Sequence, residues 1–201
     1  MTLTLSEAQL LISLARNAIE TYLKKMEIPE VNKHNIPIRL VMKQGVFTSL
    51  YRFDTKELRG CIGFPYPTYP LYKAVILSAI EAATNDPRFE PITIDELNDI
   101  VIELSLLTSP ERIEASSPLK YPEMIRIGRD GLILKYKGIQ SLLLPQVASE
   151  QRWTPQEFLS NLCLKAGLPP DIWLDPEAEI YKFNAEIFIE LTPRGRTVRR
   201  G

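Results

Sequence analysis

The chain has 201 residues, of which 45% are hydrophobic and 24% charged. That is enough for one large domain or two small lobes sharing a core, and it excludes disordered, collagen-like, coiled-coil and disulfide-scaffold classes. Lys plus Arg number 24 against 25 Asp plus Glu, a net charge of -1, so no basic field announces a nucleic-acid binder, although a local patch stays open.

Residues Thr4-x-x-Glu7 have the form of a capping box and predict a helix start. Leu11, Ile12, Ala15, Ile19, Tyr22 and Leu23 then recur on one face. Pro29 and Pro37 bracket a loop. Residues 46–53 read as a strand, and 58–63 as its hairpin partner across the polar turn Asp54-Thr-Lys-Glu57. Pro65, Pro67 and Pro70 stiffen the way to a helix over 71–84, whose small residues suit close packing on a sheet. A short helix is expected at Asp95-Glu-Leu97, then a strand over 100–107, with further strands over 132–137 and 139–144. Thr154-Pro-Gln-Glu157 combines a capping box with proline at the first helical position, and Trp153 just before it reads as a hydrophobic staple. A long alternating strand is expected over 179–191, with Tyr181, Phe183, Ala185, Ile187, Ile189 and Leu191 on one side and Lys182, Asn184, Glu186, Phe188 and Glu190 on the other. The Arg-rich segment 193–201 is expected to be disordered. Helices and hairpins mix without βαβ alternation, which predicts an α+β fold with mainly antiparallel sheet.

Apolar runs such as 74–80 and 142–144 are far shorter than the ~20 residues a bilayer requires. The opening residues show no basic n-region or cleavage site, so a cytosolic protein without signal peptide or membrane partner is expected. Cys61 and Cys163 are the two cysteines and His34 the single histidine, which excludes a structural zinc site of about four N/S ligands. A site made of carboxylates alone stays open, but no metal or cofactor is expected. The P-loop, the dinucleotide G-x-G-x-x-G and the G-x-S-x-G elbow are absent from the sequence.

Chemistry is expected on two strands. Alternation along 58–63 places Arg59 and Cys61 on one side, where a guanidinium would lower the thiol pKa. Gly60 and Gly63 leave room for a ligand or for another backbone. Along 100–107, Glu103 and Ser105 share a side, and a buried Glu103 needs a cation, for which Arg59 is the expected partner. Arg59, Cys61, Glu103 and Ser105 are therefore expected to line one side of a cleft. Cys61 also reads as a packed or ligand-lining thiol, and Arg59–Glu103 as a structural ion pair. In Asp86-Pro-Arg-Phe89, Asp86 can cap the turn and Arg88 can reach an anion, or the two can lock internally. Gln146, after Pro145, offers both a donor and an acceptor. Tyr66, Tyr69 and Tyr72 read as an aromatic rim or as tyrosine–proline packing. Cys163 reads as core.

Taken together, Leu58-Arg-Gly-Cys-Ile-Gly63 (LRGCIG), Asp86-Pro-Arg-Phe89, Glu103-Leu-Ser-Leu-Leu107, Asp130-Gly-Leu-Ile133, Leu144-Pro-Gln-Val147, Glu150-Gln151, Trp153, Phe158-Leu159 and Lys165-Ala-Gly167 resemble the AMMECR-type domain family, in an archaeal or bacterial-like form. The likeness covers roughly 40–190. It implies two lobes, each with a mainly antiparallel sheet and packed helices, with a cleft between them. The larger lobe would come from both terminal segments, and the smaller from within about 115–170. The resemblance carries no settled reaction; a site at the hallmark motif and roles in nucleic-acid processes have been suggested for the family. Association with Memo-like and radical-SAM proteins hints at a shared modification pathway. Ser141 stands where the family often has glycine.

Two functions follow as expectations. One is a cleft enzyme using Cys61 in thiol-dependent acyl or group transfer, with Glu103 as proton carrier and Arg59, Gly60, Gly63, Asp86, Arg88, Ser105 and Gln146 in binding roles. The other is a non-catalytic binding or adaptor module for a peptide, a nucleotide or RNA, or a partner protein. The substrate would be a small molecule or a protein.

Overall fold

The computed structural model describes residues 3–200. Met1, Thr2 and Gly201, and with them part of the signal-peptide reading and the last tail residue, lie outside the described residues. The chain divides into two compact units, one of Met1–Leu107 with Glu186–Gly201 and one of Thr108–Ala185. The fold is α+β with antiparallel sheet, in agreement with the sequence pattern. Among the described residues no helix is long and apolar enough to cross a membrane.

In the first unit, α1 (Leu5–Lys25) opens on the expected capping box: the Thr4 side chain accepts from Glu7 N–H and the Glu7 carboxylate accepts from Thr4 N–H. A short α2 (Ile38–Val41) leads into β1 (Gly45–Arg52), which is antiparallel to both β2 (Leu58–Phe64) and β3 (Ile100–Leu107). β3 neighbours β7 (Glu179–Glu190), and β7 pairs with β8 (Thr197–Arg200). Leu11, Ile12 and Ile19 of α1 form one core with Ala74, Val75 and Ala79 of α3 (Leu71–Thr84) and with Val46, Leu50, Ile102 and Leu104 of the sheet.

Gly60 sets how closely α3 meets the sheet. A Cβ there would collide with the Ala82 carbonyl oxygen, so only glycine lets the strand lie against the helix backbone. Gly63 has no room for a side chain either, because the Val46 carbonyl and the Phe47 ring fill that space. Of the two sequence readings of these glycines, backbone approach is the one seen at Gly60.

The tail departs from expectation. Residues 197–200 are strand β8, paired from Glu190↔Thr197 to Ile187↔Arg200, because β7 extends far enough to offer them a free edge. β7 also departs from a simple alternation of apolar inside and polar outside. Within this unit its buried residues are Phe188 and Glu190, while Ile187 and Ile189 are only half-buried. Glu190 is buried because Arg16 of α1 meets it. Arg16 Nε donates to Glu190 Oε1 at 3.2 Å, its Nη1 to Leu97 O at 2.9 Å and its Nη2 to Ile100 O at 2.7 Å. A second ion-pair contact joins Nη2 to Glu190 Oε2, which also accepts from Ile102 N–H at 2.9 Å.

The second unit holds β4 (Glu111–Arg112), β5 (Asp130–Tyr136), β6 (Ile139–Leu143), α4 (Pro145–Glu150), α5 (Pro155–Lys165) and residues 179–185 of β7. β5 lies between β6 and β7. The second capping box, Thr154 with Glu157, forms as read from sequence. Trp153 packs on Phe158, ring centroids 6.4 Å apart, as the staple geometry requires. Leu132, Leu134, Phe158, Leu162, Cys163 and Trp173 form this unit's core. Cys163 is fully buried there, as its place on the helix predicts.

Arg16→Leu leaves Glu190 as a buried, uncompensated charge and is expected to cost about 3–5 kcal/mol in urea unfolding. Arg16→Leu with Glu190→Leu is expected to recover part of that loss, because the orphaned charge goes with its partner.

Candidate functional site

The face of the sheet opposite α1 and α3 carries the chemistry. Register places Cys61 of β2 opposite Ser49 of β1, and Ser49 opposite Glu103 of β3. Three strands thus present thiol, hydroxyl and carboxylate in one lateral row. The next row is Gly63, Phe47 and Ser105. Ser49 Oγ donates to Cys61 Sγ at 3.3 Å. Glu103 is 2% exposed and Ser105 1%, and Ser105 Oγ has no hydrogen-bond partner among the described residues.

Glu103 is not held by Arg59. Arg200 Nη1 of β8 donates to Glu103 Oε2 at 3.1 Å. Arg59 turns instead to Glu96, with Nε 3.1 Å from Oε1, and donates through Nη1 to Glu90 O at 2.7 Å. The cause is a bulge: Leu50 pairs with Gly60 and Tyr51 with Leu58, so Arg59 has no partner residue on β1. Arg59 therefore lines no common wall with Cys61 and Glu103, and it does not tune the thiol.

The guanidinium that does act on Cys61 belongs to Arg88. β2 ends the sheet's strand order, and the Asp86–Arg88 turn caps its free edge at Cys61. Cys61 N–H donates to Asp86 Oδ2 at 2.8 Å, and Arg88 Nη2 donates to Cys61 O at 3.3 Å. Asp86 also accepts from Arg88 Nη2 at 2.7 Å, Arg88 Nε at 2.9 Å and Arg88 N–H at 3.1 Å. The internal lock is thus the arrangement observed. The Arg88 hydrogen bond, assisted by that of Cys61 N–H, holds the Asp86 carboxyl down to about 2.

The thiol responds in the opposite sense to that expected from sequence. Burial pushes Cys61 up; the Ser49 hydrogen bond and Arg88 pull it down, while the charges of Asp86 and Glu103 push it further up. Cys61 is thus a half-buried neutral thiol at rest. Tyr51, two residues along β1 on the same side, is raised to about 12 by burial and by Glu103 and Cys61, against a hydrogen bond with Ser49.

Sequence reading missed Ser49, Tyr51 and Arg200. A hydroxyl in the middle of an apolar strand is the same signal that pointed to Ser105, and it was present at Ser49. In the second unit Gln146 sits at the start of α4, with Oε1 buried and without a partner among the described residues. His34 is exposed in a single 3-10 turn. Tyr69 packs edge-on against Phe64, centroids 5.3 Å apart, and Tyr72 is buried, so these two rings pack internally. No group of three or more His, Cys, Asp or Glu among the described residues is placed to hold a metal ion.

The AMMECR1 family model matches residues 12–188. The chain belongs to the AMMECR1 family. It is 48% identical over 203 residues to Protein MJ0810 of Methanocaldococcus jannaschii, covering 98% of this chain and 97% of that protein. It is 53% identical over 196 residues to Protein PF1979 of Pyrococcus furiosus, covering 96% and 92%. The crystal structure of Protein PH0010 from Pyrococcus horikoshii superposes with a TM-score of 0.92 at 48% identity, over 97% of each chain. Ser141 Oγ donates to Leu162 O at 2.7 Å, tying β6 to α5.

Asp86→Asn is expected to cost about 2 kcal/mol of stability at neutral pH. The folded-state pKa lies below the unfolded one, so this contribution is present above about pH 4 and is lost as pH falls through about 2. Urea titrations of wild type and variant at pH 7 and pH 2.5 check it: the gap between them should shrink at the lower pH.

Proposed function

We propose that this AMMECR1-family protein is a thiol-dependent group-transfer enzyme with Cys61 as nucleophile and Glu103 as proton acceptor. The observation that carries this reading is the in-register row Cys61–Ser49–Glu103, with Sγ 3.3 Å from Ser49 Oγ and a buried carboxylate at the far end. A neutral resting thiol must lose its proton as it attacks, and a carboxylate on the same face accepts it. The step balances. Sulfur bonds to the substrate's electrophilic carbon, the leaving group departs with the bonding pair, and the proton passes through Glu103 to that group. A second acceptor then displaces sulfur from the carried group; the C–S bond breaks with its pair on sulfur, and the acceptor's proton passes through Glu103 to that thiolate and restores the thiol.

The backbone narrows the group. In acyl transfer, preorganised N–H donors stabilise the developing oxyanion, and the nucleophile's own N–H is a common one. Here Cys61 N–H is committed to Asp86 Oδ2. Transfer at a saturated carbon, which builds no oxyanion, fits better than acyl transfer. Ser105, whose buried hydroxyl has no hydrogen-bond partner among the described residues, stands on this face to meet a polar part of the substrate. Asp86 and Arg88 hold β2 in place.

A second reading, a non-catalytic binding module, is favoured by the burial that raises the thiol pKa. RNA binding through Arg88, the tyrosines and the Arg-rich tail draws on cations that already face carboxylates: Arg88 faces Asp86, and Arg194, Arg199 and Arg200 face Glu20, Glu186 and Glu103.

Iodoacetamide, followed by mass spectrometry, separates the readings, with buried Cys163 as internal control. Alkylation at Cys61 that rises through the alkaline range, with no acylation by a simple aryl thioester, is expected. A Cys61 that stays unmodified in the folded protein at every pH would sink the nucleophile reading and leave the binding module.

A further inference from the structure

Glu103 lies with 2% of its side chain exposed, and a carboxylate so buried stays ionised only with a compensating charge. Cys61 on β2 and Tyr51 on β1 lie within its electrostatic reach and bring no positive charge. Arg200 on β8 does, with Nη1 3.1 Å from Oε2 and 60% of its side chain exposed. Asp86 and Arg88, the other charged pair acting on Cys61, are spent on each other and on the Cys61 backbone.

β8 is built to deliver that one side chain. Thr197 N–H donates to Gln9 Oε1 at 2.7 Å. Arg199 pairs with Glu186, donates to Leu3 O at 3.2 Å and lies 5.4 Å from the Phe188 ring centroid, against the core side. Alternation then turns Arg200 to the opposite side, where Glu103 stands. Thr197 and Arg199 anchor the strand and Arg200 serves the site.

We infer that Arg200 is a positioning residue of the candidate site, holding Glu103 in the carboxylate form that receives the Cys61 proton. This rests on the reading of Cys61 and Glu103 given above. Arg200 touches no reacting atom in it; it acts through Glu103.

The test uses the full chain and five proteins: wild type, Arg200→Gln, Arg200→Lys, Glu103→Gln and the Glu103→Gln/Arg200→Gln double variant. Iodoacetamide labelling of Cys61 is followed against pH. Without Arg200 the buried Glu103 takes up a proton and no longer receives that of Cys61, so Arg200→Gln should move the labelling midpoint up by about one pH unit, roughly tenfold slower labelling at a given pH. Arg200→Lys should restore the wild-type profile. In the Glu103→Gln background, Arg200→Gln should have no further effect. A protonated-carboxyl infrared band should appear at neutral pH in Arg200→Gln and be absent from the double variant. A merely structural role would lower the melting temperature equally in both backgrounds and leave the profile in place. A wild-type labelling profile in Arg200→Gln, or an equal shift in the Glu103→Gln background, overturns the inference while leaving Cys61 as nucleophile. A wild type that never labels overturns both.

Discussion

The contact on which the site depends is one without side chains, Gly60 against the backbone of Ala82. With α3 lying directly on β2, Gly60 faces the helix and the strand has no freedom to slip by one residue. Strand alternation then sends Cys61 to the other side. The same parity passes across β1 to β3, so Ser49 and Glu103 must face where Cys61 faces. A side chain at Gly60 would push strand from helix and loosen that whole row.

Two further devices keep a polar face inside a folded unit. Asp86 and Arg88 satisfy the N–H and C=O that the edge strand would otherwise show at Cys61, and they do the work of a neighbouring strand with two side chains. On the other side of the sheet, Arg16 and Glu190 form a network in which the buried carboxylate accepts from both the guanidinium and Ile102 N–H. Breaking one partner of such a pair is far costlier than the pair is stabilising. The two networks differ in kind. Arg16–Glu190 is closed, whereas on the opposite face the Ser105 hydroxyl has no hydrogen-bond partner among the described residues and the Glu103 counter-ion, Arg200, is more than half exposed.

The electrostatics around Cys61 explain why an activated thiolate is not the resting state. Burial outweighs the two groups that lower its pKa, and both neighbouring carboxylates oppose ionisation. A thiol in that setting must be deprotonated during the encounter with substrate, which gives the carboxylate in the row its chemical purpose. The same setting would suit a packed thiol in a binding surface, and accessibility to an alkylating agent tells the two apart.

Local rules written into neighbouring residues were legible from the sequence: both capping boxes, the Trp153 staple, the helix over 71–84, the strand over 100–107, the α+β class, and the family through its ordered motifs. Glu103 and Ser105 were legible as sharing one side of their strand, because alternation is a property of each strand alone, whereas Cys61 joins their face through register across β1. What the sequence could not supply was which cation meets which carboxylate. A single β-bulge between Leu50 and Tyr51 diverted Arg59 to Glu96, and a four-residue strand from a tail read as disordered brought Arg200 to Glu103. Ser49 and Arg88 reached the thiol through cross-strand register and an edge-capping turn. Caps and alternation depend on residues one to four positions apart, whereas partner choice among buried charges depends on register and on edges, which exist only once distant strands have paired.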